Sequence, residues 1–439
     1  MTTLQGRTLF QLSYPLFLQS LVMFGVMILD MMIFSAHGPQ TAAALSVAGQ
    51  VLRVMVELSA VMGIGAVVTI ARQLGRGRVR AARLTASVAC VANGVAGLVM
   101  GAALAIGGPL ILRLMALEPG LRADASDYLH LAGAAMAFLC FGTTAIACLR
   151  GFGHSRVVMV LGILGAVFYL TLEYLLVLRA DLGARGAGLA NLALRAGVAL
   201  VLAAVTLRML RLDLRPRVIR GRWPAIRRMA AIALPGVSDF IAYGFYQIIL
   251  VAVIATQGEV AVLSRAYVMI AMSFLTLVIM AIVQGSEVLI GFRQGSGQTD
   301  SAWRQAVEAA LIASALSMGC AVLIWAGSGA FVDLFTPDPA VHDLSRRLLW
   351  LTIWLQPCFA VNMVLFHALR AVADVRWPVL VSQALTWGLG LPLAWIFCVQ
   401  MDGGAAGVWY AFIIEELAKA TAMAWRWNAR RSLPPRPAG

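Results

Sequence analysis

The sequence predicts an all-α polytopic membrane protein: twelve transmembrane helices in two six-helix lobes related by a parallel pseudo-two-fold repeat. Three observations carry this reading. Of 439 residues, 61% are hydrophobic and 12% charged, at a mean hydropathy of +0.87, whereas soluble domains are nearer half apolar and a quarter charged. The apolar residues collect in runs long enough to cross a bilayer. Landmarks of the first half recur in the second at one constant offset.

A helix needs roughly 20 residues to cross the hydrocarbon. Runs bounded by Arg, Gly and Pro place spans near 8–34, 42–70, 84–107, 127–148, 157–178, 186–208, 229–256, 260–291, 303–326, 345–368, 377–400 and 404–427. The first run extends too far, and lacks the small-residue cleavage site, for a secretory leader.

Loop charge alternates along the chain. One side carries Arg7, the cluster Arg72, Arg76, Arg78, Arg80 and Arg83, the pair Arg150 and Arg156, the linker from Arg208 to Arg228, Arg293, Arg304, Arg370, Arg376 and the tail from Arg426 to Arg436. The other has Arg113, Arg122, Arg179, Arg185, Arg346 and Arg347. The positive-inside rule then puts both termini in the cytoplasm. The excess of 34 Lys+Arg over 20 Asp+Glu is thus read as orientation, and nucleic acid is not an expected partner. Arg53, Arg195, Arg265 and Lys419 fit neither set of loops and fall within spans. The six Cys lie in apolar stretches without C-x-x-C spacing, so disulfides and Cys-held metal are not expected.

At an offset of 220 residues Pro15 matches Pro235, Gly65 matches Gly285, and Gly75 and Gly77 match Gly295 and Gly297. Pro119 matches Pro339, and Leu149, Arg150 and Arg156 match Leu369, Arg370 and Arg376. The units expected are an N-terminal lobe 1–208, a basic cytoplasmic linker 209–228, a C-terminal lobe 229–427 and a tail 428–439. Such a duplicated bundle suits a secondary transporter working by alternating access. No G-x-x-x-x-G-K-[ST] loop cradles ATP phosphates, so an ion gradient is the expected energy source, with no cofactor.

Ionisable residues inside a bilayer are costly and are functional candidates by default. At 100° per residue Gln19, Met23, Met27 and Asp30 share one face of the first span. Asp30 either takes up a proton or Na⁺, or is a capped carboxyl near the outer interface. Ser46, Gln50, Arg53 and Glu57 fall within about 60° of arc on the second span: a cavity wall, or an Arg53–Glu57 pair four residues apart. Glu173, Asn191 and Arg195 lie at comparable outer depth and pair among themselves, or Glu173 joins Asp30. Asp239, Tyr243 and Tyr246 with Gln247 beside them form either a pocket for an amphipathic cation or a packing stripe. Asn362 and Gln356 are weaker candidates, Arg265 snorkels, and Glu415, Glu416 and Lys419 pair locally. The His residues show no metal spacing, and an enzyme is disfavoured.

These residues resemble the multidrug and toxic compound extrusion (MATE) family. The likeness covers nearly the whole chain. It rests on Pro15 with Asp30 fifteen residues later, on A-R-Q-L-G-R-G-R-V-R-A-A from Ala71, on L-R-G-F-G-H-S-R from Leu149, on L-E-Y from Leu172 with G-A-R-G-A-G-L-A from Gly183, and on A-L-P from Ala233 and A-L-R-A-V-A-D from Ala368. The resemblance implies two six-helix lobes in a V around a cleft, with H⁺ or Na⁺ entering as an amphipathic organic compound or drug leaves. It maps the first-span acid onto Asp30, above a helix bend at Pro15, and the fifth-span acid onto Glu173, where Asp is more usual. Many members have Asn one turn earlier where this chain has Tyr169, which favours H⁺ over Na⁺ at Asp30. Seventh- and tenth-span acids of some members correspond to Tyr243 and Asn362, so the coupling site is expected in the first lobe. The partners expected are a small amphipathic substrate and membrane lipids, the chain acting as a monomer. The alternatives are a flippase or exporter of a lipid-linked saccharide or metabolite and, remotely, a membrane-embedded enzyme, for which His367 would be tested.

Overall fold

The computed structural model describes residues 4–115 and 118–431; the tail expected at 428–439 lies outside the described residues from 432 onward. The helices are α1 (Leu9–His37), α2 (Pro39–Ser59), α3 (Val61–Gly75), α4 (Val79–Leu114), α5 (Pro119–Gly151), α6 (Ser155–Glu173), α7 (Gly183–Val205), α8 (Trp223–Ala255), α9 (Glu259–Gly295), α10 (Thr299–Ala326), α11 (Ser328–Asp333), α12 (Pro339–Ala371), α13 (Arg376–Leu385), α14 (Leu391–Trp395) and α15 (Gly404–Arg431). Four π-helical turns, Tyr174–Arg179, Thr206–Leu210, Thr386–Gly390 and Ile396–Gln400, continue or interrupt them.

Eleven helical segments among the described residues are long and apolar enough to cross a membrane, α2 with α3 counting as one. The remaining expected span is α15, whose 28 residues suffice in length but whose middle carries Glu415, Glu416 and Lys419. Helices run past several expected spans, as α5 does from Pro119, because charged end turns still close helical hydrogen bonds outside the apolar layer.

The second expected span, 42–70, is divided at Ala60 into α2 and α3. No Gly or Pro marks the break. The Ser59 carbonyl accepts instead from Asn93 Nδ2 (2.8 Å) and Thr143 Oγ1 (3.0 Å), donors on α4 and α5 that replace a helical N–H. Asn93 Nδ2 also reaches Cys140 O at 2.7 Å and Thr144 Oγ1 at 2.8 Å, so one buried amide ties three helices.

The chain forms two compact units. The first takes Leu18–Leu234 and the residues ahead of Thr8; the second takes Thr8–Phe17 and the chain from Pro235. In the first, α5 is central, packed by α2, α3, α4 and α7; in the second, α12 is central, packed by α9, α10 and α15. The matched glycines make matched close crossings. A Cβ on Gly65 would strike the Met229 backbone in the first unit, and one on Gly285 would strike Ser13 in the second. Helix α1 carries Pro15 and α8 carries Pro235 in their interiors, and each proline removes one helical hydrogen bond.

The basic loops are tight turns of one kind. Arg78 N, His154 N, Gln298 N and Asp374 N each reach back five residues to a carbonyl at 2.9 Å, the hydrogen bond that ends a helix on a left-handed residue. Gly77, Gly153 and Gly297 supply that conformation at φ of 72°, 84° and 80°, and Ala373 adopts it at 59° in the place of Gly153. The linker docks on the first unit through Asp213 N to Ser87 Oγ (2.9 Å).

Replacing Asn93 by Leu leaves the Ser59 and Cys140 carbonyls buried without these donors. The expected cost is about 2 kcal/mol or more, measured as a lower melting temperature of the purified protein in detergent; an unchanged melting temperature would remove Asn93 as the tie.

Candidate functional site

In the first unit the C-terminal end of α1 is anchored. His37, its last residue, has Nδ1 2.8 Å from Thr41 Oγ1 and Nε2 3.1 Å from Asp181 of the α6–α7 turn. Asp30 lies seven residues below His37 and Glu173 eight residues before Asp181, each about 10–12 Å down its helix at 1.5 Å per residue. The anchor therefore sets the two acids side by side, and their carboxyls lie within hydrogen-bonding reach of one another.

Glu173 is fully buried, and Tyr169, one turn earlier on α6, donates to its Oε1 at 2.8 Å. The other carboxyl oxygen, Oε2, and Oδ1 of Asp30 are buried without a donor. The helix turns π immediately after Glu173, a feature common at functional sites. On α7 Arg195 Nε donates to Asn191 Oδ1 at 3.2 Å, and Asn191 is also hydrogen-bonded to Tyr128 of α5. Arg195 sits within electrostatic range of Tyr128 and Tyr169. Of the alternatives at this depth, Asn191 pairs with Arg195 and Glu173 joins Asp30. Tyr128 was not singled out in the sequence; it stands at the edge of the expected span 127–148 beside Asp127, where a tyrosine reads as an interfacial anchor.

The α2 stripe stays open. Ser46, Gln50 and Arg53 are exposed within the unit and Glu57 is half-buried. Arg53 acts on Glu57 through its field without closing an ion pair among the described residues. Met23 and Met27 of α1 are exposed at 41% and 57%, an adaptable apolar surface below Asp30, while Gln19 packs over Gly162, where a Cβ would lie 2.8 Å from its Cγ.

In the second unit the polar residues are drawn into closed networks. Gln383 of α13 donates to the Asp239 carboxylate and Trp387 Nε1 donates to Gln383 Oε1 at 3.0 Å. Gln247 donates to the Tyr243 hydroxyl at 2.6 Å and accepts from Arg265 Nη2 at 2.7 Å, so Arg265 bonds inward rather than snorkelling. Tyr246 is fully buried and donates to Glu415 Oε2 at 2.6 Å. Asn362 Nδ2 donates to Glu416 Oε2 at 2.8 Å. Tyr246 and Asn362 thus serve buried carboxylates and not an open wall. Glu415, Glu416 and Lys419 do pair locally, at 2.6 and 3.1 Å from the ammonium.

An ion pair with no sequence signal lies at the C-terminal end of α12: Arg370 grips Glu287 at 2.8 and 3.0 Å, with His367 Nδ1 2.6 Å from Arg370 Nη2. His367 is thereby held in a packed ion cluster. Among the described residues no group of three or more His, Cys, Asp and Glu is disposed to hold a metal ion.

The MatE family pattern matches residues 15–175 and 235–396. The uncharacterized transporter YisQ of Bacillus subtilis is 26% identical over 96% of this chain and 94% of its own length. A probable multidrug resistance protein NorM of Xanthomonas campestris is 25% identical over 91% of this chain and 88% of its own. Among solved structures, a MOP superfamily transporter from Pyrococcus furiosus, described as having a binding pocket of reverse polarity, superposes with a TM-score of 0.89 at 18% identity, over 97% of this chain and 95% of that one. An outward-facing multidrug resistance MATE transporter superposes at 0.89 and 19% identity with the same coverage. With the family pattern repeated once in each half of a multi-pass helical chain, this protein belongs to the MATE family of secondary membrane transporters.

Proposed function

We propose that this transporter exports amphipathic organic compounds in exchange for protons taken up by the Asp30–Glu173 pair. The observation that carries the reading is the pair of facing carboxyls with one buried acceptor oxygen each and no donor between them. One proton placed between them supplies a donor and removes a charge where an isolated one is expensive. Tyr169 fixes Oε1 of Glu173, and its hydroxyl stands where an amide oxygen would favour Na⁺. The names of the curated relatives, multidrug resistance proteins NorM and MdtK, support drug-like cargo.

With both acids ionised, the first unit attracts a cationic amphiphile, for which the exposed Met23 and Met27 and the Gln50 and Glu57 side chains offer apolar and polar contacts. Protonation from outside discharges the site and lets α1 repack about Pro15, where a helical hydrogen bond is already missing, and the cargo loses its counter-charge. Protons that enter down their gradient drive the cargo the opposite way, so the direction is export, and the loop charge supports cytoplasmic termini.

Exposed Arg53 favours a second reading, an anionic or zwitterionic metabolite or lipid-linked saccharide as cargo, since a guanidinium is the natural partner of carboxylate or phosphate.

In proteoliposomes an imposed pH gradient should drive a cationic dye and a Na⁺ gradient should not. Asp30→Asn and Glu173→Gln should each reduce gradient-driven transport to the leak rate while the protein still purifies as folded. Normal coupled transport by either variant, or transport driven by Na⁺ alone, refutes the assignment. Dye that fails to move in wild-type vesicles while an anionic cargo does would carry the reading over to Arg53.

Tyr169→Phe removes one hydrogen bond to a carboxylate, worth about 1.5 kcal/mol. Because that bond favours the ionised carboxylate, the expected result is a roughly tenfold tighter apparent proton affinity, seen as a shift of the transport pH profile by about one unit to the alkaline side, with dye affinity unchanged at saturating acidity. An unaltered pH profile would exclude Tyr169 from the proton site.

A further inference from the structure

The chain contains 34 Lys+Arg, of which Lys419 alone is lysine and 34 − 1 = 33 are arginine. That single lysine is the most deeply buried cation among the described residues, 3% exposed. Arginine serves at every other cationic position, so the exception invites a physical reason. An ammonium is a compact point charge with three donors, whereas a guanidinium is a planar fork that cannot occupy a rounded, oxygen-lined site in the same way.

The site is built around that point charge. Lys419 Nζ lies 2.6 Å from Glu415 Oε1 and 3.1 Å from Glu416 Oε1. Each carboxylate is held from behind. Thr386 Oγ1 donates to Glu415 Oε1 at 2.9 Å, Tyr246 to Glu415 Oε2 at 2.6 Å, and Asn362 Nδ2 to Glu416 Oε2 at 2.8 Å. Thr386 opens the π-helical turn that ends at Gly390, and a Cβ at Gly390 would collide with the Glu415 carboxylate. Asn362, 6% exposed, leaves its Oδ1 buried with no donor beside this network. Two carboxylates clasp the ammonium, and the Asn362 side chain that holds one of them brings an unclaimed amide oxygen to the same network; carboxylate and amide oxygens are the donor types that hold a small monovalent cation.

We propose that Lys419 is a tethered cation: its ammonium fills a monovalent-cation site in the second unit, which therefore carries its own counter-ion and takes up none from solution. The inference rests on this network alone and does not depend on the first-unit proton site. An ordinary structural ion pair would leave an unmet charge when Lys419 is removed, but the gap would not be shaped to take a free cation. A tethered cation leaves a vacancy that a free one refills.

The experiment uses the full chain in detergent, melted with a thiol-reactive dye that reports exposure of the buried Cys90, Cys140, Cys148 and Cys398. Wild type and Lys419→Ala are compared in methylammonium chloride, sodium chloride and N-methylglucamine chloride at equal ionic strength. Wild type should melt alike in all three salts. Lys419→Ala should melt lower in N-methylglucamine and regain about 4 °C or more in methylammonium, saturably, as a ligand bound only by the folded state requires. Adding Glu415→Gln to the variant should weaken that response. Equal melting of Lys419→Ala in all three salts, or the same cation selectivity in wild type, overturns the proposal. Should the variant be too unstable to melt, its recovery during purification in methylammonium against N-methylglucamine gives the same reading: recovery independent of the cation overturns the proposal, and recovery confined to methylammonium supports it.

Discussion

A carboxylate within the apolar layer has no water to turn to, and that single constraint organises both units. Every such group must find a proton, a cation or protein donors in its own neighbourhood. The first unit meets the constraint incompletely, since Asp30 and Glu173 face each other with one acceptor oxygen apiece unfilled. The second meets it with its own lysine and a ring of hydroxyl and amide donors around Glu415 and Glu416. A site that lacks a donor has room for a proton, as the proposed exchange requires, whereas a site completed by a covalently attached ammonium has nothing to exchange.

The duplication makes this difference visible residue by residue. At the offset of 220 the scaffold is retained: the Gly65 and Gly285 crossings, the interior prolines 15 and 235, and the turns closed at Gly153 and Ala373. The charges are not. Glu415 stands at the register of Arg195, Lys419 at that of Ala199, and the positions matching Asp30 and Glu173 are Leu250 and Leu393. Backbone packing was kept because any Cβ at the crossings would push whole helices apart. Side chains in the interior were free to diverge so long as each unit balanced its own buried charge.

The spans and the repeat were legible because each is a property of one local stretch of sequence: an apolar run, a Pro at a helix start. Asp30 and Glu173 were legible as candidates for the same reason, being acids in apolar runs. Their partnership was not, since it depends on the His37–Asp181 anchor, made between residues 144 apart in sequence. The break at Ala60 was invisible because its cause, the capture of the Ser59 carbonyl by Asn93 and Thr143, lies 34 and 84 residues away.

Lys419 shows how depth and role separate. Its pairing with Glu415 could be read from an i, i+4 spacing on one helix, and that reading is sound as far as it goes. What the spacing does not carry is that Tyr246, 169 residues earlier, and Asn362, 54 residues earlier, enclose the same carboxylates. A local pair on a helix surface is screened and weak; the same pair sealed among buried donors is a fixed charge in a low-dielectric interior, where removing one partner leaves the other exposed to the full desolvation penalty. The sealing, and not the spacing, turns an ordinary helical ion pair into a site that must remain occupied.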